Sequence, residues 1–242
     1  MTEPGTAIED VDFEAVYQGG STQDIPMPWD IGRPQPVLVA VEEAGEIRGE
    51  VLDIGCGLGN NASYLASHGY RVTGADGAES ALRTARERAA AQGVEVEFIQ
   101  ADATKLEGLD GRFDTVVDSA LYHCLTEEAR HDYIAALLRA TKPGATLHIF
   151  CFADDLPESL PGPFRISERN LRETVGTGWT ITGLTKADYL TSMTPAGFFE
   201  YFHLMMPDHE VPTPDLASLD TLPLDPDGHL KLPIWKLTAR RS

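Results

Sequence analysis

The sequence predicts an α/β fold, with a mainly parallel sheet and helices on both of its faces. Three observations predict it. Short apolar runs alternate with amphipathic stretches along most of the 242 residues, which is the pattern of strands joined by helical crossovers. One run, Val51-Leu52-Asp53-Ile54, passes straight into the glycine-rich turn Gly55-Cys56-Gly57-Leu58-Gly59, with Asn60 placed to open the next helix. A second strand, Tyr70 to Asp76, ends in an acid. It lies about 20 residues past the turn, where a doubly wound fold places a carboxylate for a ribose diol.

The elements follow in order. Residues 1–33 form a segment without clear periodicity. Pro34 to Ala44 reads as a short helix, with proline near its start and Val37, Leu38 and Val41 on one side. After the glycine turn come a helix over Asn60 to His68 and another over Ala78 to Gln92, the latter closed by Gly93. Val94 to Ala103 alternates apolar and polar and reads as the third strand. Phe113 to Ser119 is the fourth. Thr126 caps a helix running to Thr141, with Glu127 and Glu128 in its first turn. Pro143-Gly144 breaks that helix ahead of a fifth strand over Ala145 to Phe152. Ser167 caps a helix to Val175, and Trp179 to Asp188 and Ile234 to Arg240 read as the sixth and seventh strands. Thr191 to His229, rich in Pro, Asp and aromatics, reads as an insertion that partly covers the site. The whole, 1–242, is expected to be one domain, with 1–33 an arm over the site and 191–229 near an acceptor pocket.

Composition narrows the partners. Hydrophobic residues make up 42% of the chain, as in a globular protein with a full core. No apolar run is long enough to span a bilayer. Met1 to Asp10 is acidic and lacks the basic and apolar regions of a secretory signal, so a cytoplasmic protein is expected. Cys56, Cys124 and Cys151 are odd in number, have no C-x-x-C spacing and read as reduced thiols. The formal net charge of −19 argues against nucleic acid and against acidic membrane surfaces, leaving small molecules as partners. Its simplest meaning is solubility. No His, Cys, Asp or Glu cluster shows metal-ligand spacing, so no metal is expected. Monomer and homodimer stay open.

The glycines fall at Gly55, Gly57 and Gly59, a G-x-G-x-G pattern and not the G-x-G-x-x-G that cradles a pyrophosphate. A pyrophosphate needs a nearby helix N-terminus. A ligand that presents an amino acid needs closely approaching backbone and an acid for its ammonium, and Asp53 could supply that acid. This strand and loop resemble motif I of the class I S-adenosylmethionine (SAM) methyltransferases. The family's Rossmann-like sheet has seven strands and an antiparallel last strand. The resemblance implies a cofactor site formed by Asp53, Gly55, Cys56, Gly57, Gly59 and Asn60, with Asp76 and Gly77 at the ribose. Ala101, Asp102 and Ala103 then fall at the adenine, and Asp118 and Ser119 at the end of the fourth strand.

Pro28-Trp29-Asp30-Ile31-Gly32-Arg33-Pro34-Gln35 resembles the arm of the thiopurine- and tellurite-resistance-like small-molecule branch, and Phe13 to Tyr17 also fits that arm. Trp29 is thus a candidate for covering the cofactor or lining the acceptor pocket, with stapling the arm to the core as the alternative. Taken with Asp118-Ser119-Ala120-Leu121-Tyr122-His123-Cys124-Leu125, the arm resembles the bacterial heterocyclic toxin methyltransferases. Those enzymes methylate O or N of hydroxyquinolones, quinolone N-oxides and flavonols. His123 is the candidate general base, with packing against the cofactor as the alternative. Candidate acceptor contacts are Tyr17, Trp29, Tyr122, His123, Phe164, Met193, Phe199 and His203. The crowd Met193, Phe198, Phe199, Tyr201, Phe202, Met205 and Met206 suits flat ligands, and equally suits the insertion's own core. Thiol or tellurite methylation, a Rossmann oxidoreductase and a non-catalytic SAM-binding protein are the competing readings.

Overall fold

The computed structural model describes residues 11–23, 27–157, 164–205 and 222–241. Seven strands form one sheet: β1 (Glu50–Ile54), β2 (Arg71–Asp76), β3 (Glu97–Gln100), β4 (Phe113–Ser119), β5 (Thr141–Phe152), β6 (Trp179–Leu190) and β7 (Lys231–Arg241). Their order is β3-β2-β1-β4-β5-β7-β6. All pairings from β3 to β5 are parallel, and β7 runs antiparallel to both neighbours, as the sequence predicts. The chain leaves β1 toward β2 and β3, then returns to lay β4 and β5 on the other side. That reversal puts the topological switch point between β1 and β4, where ligands bind in open α/β sheets.

Two apolar layers sandwich the sheet. Helices α2 (Pro36–Glu43), α3 (Asn60–Ser67) and α4 (Glu79–Gln92) bury Leu38, Val41, Leu65, Leu82 and Ala85 against Val51, Val117 and Phe150. Helices α5 (Glu127–Ala140) and α6 (Glu168–Val175) bury Ile134, Leu137, Leu171 and Val175 against Leu52, Ile54, Val116 and Ile149. The caps read in the sequence are present: Thr126 Oγ1 accepts from Ala129 N at 3.3 Å, and Ser167 Oγ from Asn170 N at 3.1 Å.

Three elements differ from the sequence expectation. The third strand is shorter, because Gly93 at φ 68° turns the end of α4 and Val94 N donates back to Ala89 O. Residues 94–96 therefore form an irregular link between the helix cap and the strand. The fifth strand begins at Thr141, ahead of Pro143. The register shifts between the pairs Phe113–Thr141 and Thr115–Thr146, so the missing proline N–H and the positive φ of Gly144 fall in the irregularity.

The third difference is helix α1 (Phe13–Gln23) in the arm. Asp12 Oδ1 caps it by accepting from Ala15 N at 3.1 Å. It docks on α4, where Glu14 Oε2 accepts from Ser80 N, and Tyr17 and Met27 pack on Ala78 and Ala81. In the insertion, helix α7 (Pro195–Met205) buries Met193, Phe198, Phe199 and Tyr201 with Leu156, Leu230 and Leu232. Met193, Phe198, Phe199 and Tyr201 of the aromatic crowd thus form the insertion's own core, with Trp29 and Phe152 packed at its edge, and the side chains of Phe202, Met205 and Met206 fall outside the described residues. Among the described residues no helix is long and apolar enough to cross a membrane.

Candidate active site

The glycine turn is shaped by contacts that only glycine permits. Gly55, Gly57 and Gly59 have φ of 70°, 51° and 78°. A Cβ on Gly55 would meet Leu121 Cβ at 2.8 Å, and one on Gly57 the Tyr17 hydroxyl at 2.7 Å. The turn is tied to β2: Gly55 N and Cys56 N donate to Ala75 O, and Gly57 N donates to Asp76 Oδ2 at 2.8 Å. Asp76 Oδ1 accepts from Ala78 N at 2.9 Å. Ala101 N donates to Asp76 O and Gln100 Nε2 to Gly77 O, which sets the end of β3 beside the same carboxylate.

Three acids stand at the carboxyl ends of adjacent strands. Asp53 is buried, and burial together with the charges of Asp118 and Asp76 pushes its carboxyl up to about 7. Its Oδ2 has no hydrogen-bond partner among the described residues. Burial also raises Asp76. A buried carboxylate oxygen without a donor costs free energy, and an ammonium is the group that would satisfy it. Asp118 is different. Burial lifts it to about 6, yet Oδ1 accepts from Leu121 N and Tyr122 N and Oδ2 from the Tyr133 hydroxyl at 2.8 Å. Asp118 thus holds the turn after β4. Asp102 lies on the surface, where it caps Thr104 and pairs with Lys105 at 2.8 Å. Ala101 and Ala103 pack half-buried against the core.

The arm closes this cleft through partnerships the sequence reading had not foreseen. Asp30 meets Arg88 of α4 with both oxygens and accepts from Asn60 Nδ2 at 2.7 Å. Asn60 therefore links the arm to the start of α3. Gln35 bridges α2 to β6: Nε2 donates to Leu190 O at 3.0 Å, and Oε1 accepts from Leu190 N at 3.2 Å. The Pro-Trp-Asp-x-Gly-x-x-Gln pattern was visible in the sequence, but these partners lie far away along the chain. Trp29 Nε1 donates to the Tyr17 hydroxyl at 3.2 Å, and its ring meets Phe13, Tyr17 and Tyr201 edge-on. It staples the arm and also lines the cleft. The cleft has a volume of about 50 Å³, walled by Tyr17, Trp29, Arg33, Gly55 to Leu58, Asn60, Ser119 and Tyr189. Ligand pockets are roughly 300–1,000 Å³, so this cleft is narrower than a bound cofactor needs. A larger groove, about 690 Å³, runs past Tyr70, Arg86 and Phe98 at the sheet edge and contains none of these residues.

The acceptor side lies beyond β4. Ala120 has φ 82°, a conformation non-glycine residues seldom adopt, and it opens a 3₁₀ turn over Tyr122–Cys124. Tyr122 points into the core, with its hydroxyl on Asn170 Oδ1 at 3.0 Å, and so does not reach the cleft. Phe164 is likewise engaged behind the site, its ring against the Arg130 guanidinium at 5.0 Å and its N–H on His123 O. His123 is 2% exposed, and its ring stacks on Phe152 with centroids 4.1 Å apart. Phe152 N donates to His123 Nδ1 at 2.8 Å. Burial, then the Arg130 charge, pushes His123 down to about 3. The expected base is therefore a neutral imidazole whose Nδ1 lone pair is taken. Phe152 also meets Tyr189 edge-on at 6.4 Å, so His123, Phe152 and Tyr189 make a continuous wall. Met193 and Phe199 lie in the insertion core, and the His203 side chain falls outside the described residues. Asp225, Asp227 and His229 bring ligand atoms within 4.8 Å of one another, a closeness the sequence spacing had not indicated. Asp225 Oδ1 there accepts from Asp227 N and His229 N in a self-capped turn.

A switch-point cleft with a close-approach glycine turn, a buried acid beside it with one oxygen unpartnered among the described residues, and a second acid on the next strand could hold a cationic amino acid joined to a nucleoside. The comparisons agree. A methyltransferase-domain family matches residues 51–144. The 2-heptyl-1-hydroxyquinolin-4(1H)-one methyltransferase of Mycobacteroides abscessus is 38% identical over 179 residues, 72% of this chain and 79% of its own. A structure solved in work on the conversion of a disulfide bond into a thioacetal group during echinomycin biosynthesis is 34% identical. It covers 95% of this chain and 91% of its own, with a TM-score of 0.75. A SAM-dependent methyltransferase from Anabaena variabilis, 14% identical, matches over 100% of this chain and 99% of its own at a TM-score of 0.70, a likeness of fold. The chain belongs to the class I SAM-dependent methyltransferases. It is an enzyme that uses SAM to methylate small molecules.

Proposed function

We propose that the acceptor is a small, flat, hydroxylated heteroaromatic compound, methylated on O or N. The observation that carries this reading is the aromatic wall of His123, Phe152 and Tyr189, which reaches the glycine-turn cleft through Tyr189. Stacked and edge-on rings suit a planar ligand. The hydroxyquinolone acceptor named for the Mycobacteroides abscessus relative supports the same class.

SAM, when bound, supplies an electrophilic methyl on a sulfonium. The chain holds, orients and dries the site. Asp53 receives the ammonium, and Arg33 on the cleft wall receives the carboxylate. Asp76 takes the ribose diol, with Gly77 and the Ala101-Asp102-Ala103 corner nearest the base. Tyr17 and Trp29 lift with the arm for entry and then cover the reacting atoms, excluding water. Holding nucleophile and methyl in line is worth several kcal/mol, and this needs no acid–base group. Asp118 supports the turn that carries Ser119 and His123 toward the site.

A second reading, methylation of sulfur, is favoured by the likeness to the thioacetal-forming system. Incubation with methyl-deuterated SAM and a panel of a hydroxyquinolone, a flavonol and an aryl thiol separates the two by mass spectrometry. Label on the first two supports the heteroaromatic reading. Label on the thiol alone replaces it with the sulfur reading.

A further inference from the structure

The state of His123 decides what kind of acceptor the site takes, given the methyl-transfer reading above. Phe152 N–H lies 2.8 Å from His123 Nδ1. A backbone amide only donates, so Nδ1 presents its lone pair there and the ring proton is on Nε2. The Phe152 side chain stacks on the same ring at an interplanar angle of 11°, and the His123 carbonyl accepts from Phe164 N at 2.9 Å. The ring is thus held by both the backbone and the side chain of Phe152. Turning it to free Nδ1 would break the bond and the stack together.

The described neighbours give no route to a second proton. Among the described residues, the ionisable groups around the ring, its turn and its stacking partner are Arg130 on α5, Asp118 at the end of β4, Tyr122 and Cys124 on the 3₁₀ turn, Cys151 on β5, Lys186 and Tyr189 on β6 and, acting on Tyr189, Asp53 on β1. Arg130 is a cation and opposes another positive charge. Of the carboxylates near this wall, Asp118 spends its oxygens on Leu121, Tyr122 and Tyr133, and Asp53 acts on Tyr189, while the charge acting on the His123 ring itself is that of Arg130. The thiols and phenols are held neutral by burial. A general base needs a free lone pair and a place for the proton it takes, and His123 has neither.

We infer that His123 acts as a hydrogen-bond donor through Nε2–H, and that the enzyme takes acceptors which ionise on their own near or below neutral pH and bind as anions. N-hydroxy heteroaromatics, acidic enols and aryl thiols are of this kind. The acceptor's proton leaves to water before binding. The anionic atom then forms the bond to the methyl carbon with its own electron pair, the pair of the broken carbon–sulfur bond stays on sulfur, and the two opposite charges cancel. No proton remains for the protein to remove. The donor holds the anion in line without quenching it.

Two measurements on the full chain test this. The first is long-range ¹H–¹⁵N correlation of labelled histidines, with the His123 signals assigned from their loss in His123→Gln. The Nε2–H form should persist, free and with S-adenosylhomocysteine bound. A ring that titrates with a midpoint between about pH 5 and 8 overturns the inference. The second is the pH profile of kcat/KM for two acceptors of one skeleton whose acidities differ by about two pKa units. The rising limb should move with the acceptor. His123→Gln, whose amide still donates, should keep that limb and lose activity by about tenfold or less, against a larger loss in His123→Ala. A limb fixed for both acceptors and abolished in His123→Gln makes His123 the base and overturns the inference alone. No turnover of either acceptor by protein that binds S-adenosylhomocysteine overturns the heteroaromatic reading, and the acceptor class with it.

Discussion

Asp30 and Arg88 face each other at the rim of the cleft in a two-pronged ion pair, Oδ2 to Nη2 at 2.8 Å and Oδ1 to Nη1 at 3.0 Å. Asp30 comes from the arm and Arg88 from α4, so the pair fastens the cover to the wall of the site it covers. Asn60 joins them, giving its amide to Asp30 and accepting from Arg88.

Asp30→Ala should therefore loosen the arm more than it loosens the fold. Charge-assisted hydrogen bonds are worth roughly 1.5–3 kcal/mol each, less where solvent screens them. The expected outcome is a stability loss of about 1–3 kcal/mol, with S-adenosylhomocysteine affinity weakened about tenfold. Denaturant melts and calorimetry measure the two. Burial opposes the charge of Asp30, but Arg88 and Asn60 outweigh it, so its carboxyl titrates below the usual aspartate range. The sign follows: this contribution is fully present above about pH 4 and is lost as pH falls through the depressed value. Acid melts of wild type and Asp30→Ala should converge there.

Asp53 predicts the opposite slope. Its folded-state value near 7 lies above that of an unfolded aspartate, so its stabilising contribution is present below about pH 4 and is lost as pH rises toward 7. Asp53→Asn should make the free protein more stable than wild type at pH 8, by about 1–3 kcal/mol, while weakening SAM binding. Wild type should also release protons on binding near pH 6–7, because an ammonium beside the carboxylate lowers its pKa. Calorimetry in two buffers of different ionisation enthalpy reads that release. Equal heats in both buffers would remove Asp53 from the ammonium role.

Gly57 and Tyr17 form a testable couple. Gly57→Ala places a methyl 2.7 Å from the Tyr17 hydroxyl, on a residue with φ of 51°. The backbone term costs about 1–2 kcal/mol on its own. Tyr17→Phe removes the clashing oxygen, so the double variant should recover part of the SAM affinity lost by Gly57→Ala. Strict additivity of the two changes would mean that the arm does not sit over the turn in solution.

What the sequence shows and hides follows from the range of each interaction. Val51 to Asn60, Asp76 and Phe113 to Ser119 are legible because strand, turn and acid lie within a few residues of one another. The caps Thr126 and Ser167 are local for the same reason. Helix α1 had only Asp12 as a start signal, and Gly19-Gly20 weakens any pattern; packing on Ala78 and Ala81 sustains it. Tyr189 reaches the cleft from the far end of β6 and leaves no local signature. Asp118 and Tyr122 looked like ligand contacts by their places at the end of β4 and just after it, and only their partners Tyr133 and Asn170 reveal support roles. The tautomer of His123 depends on one amide 29 residues away, which no motif encodes.

Calorimetric titration with S-adenosylhomocysteine, followed in the same cell by a hydroxyquinolone, tests the central claim most directly. The account predicts micromolar binding of the first ligand. The second should bind only to the loaded protein, because arm and cofactor together complete the acceptor wall. Absence of binding by the first would contradict the assignment of Asp53, Asp76 and the glycine turn. Equal binding of the second with and without the first would contradict a pocket closed by Tyr17 and Trp29.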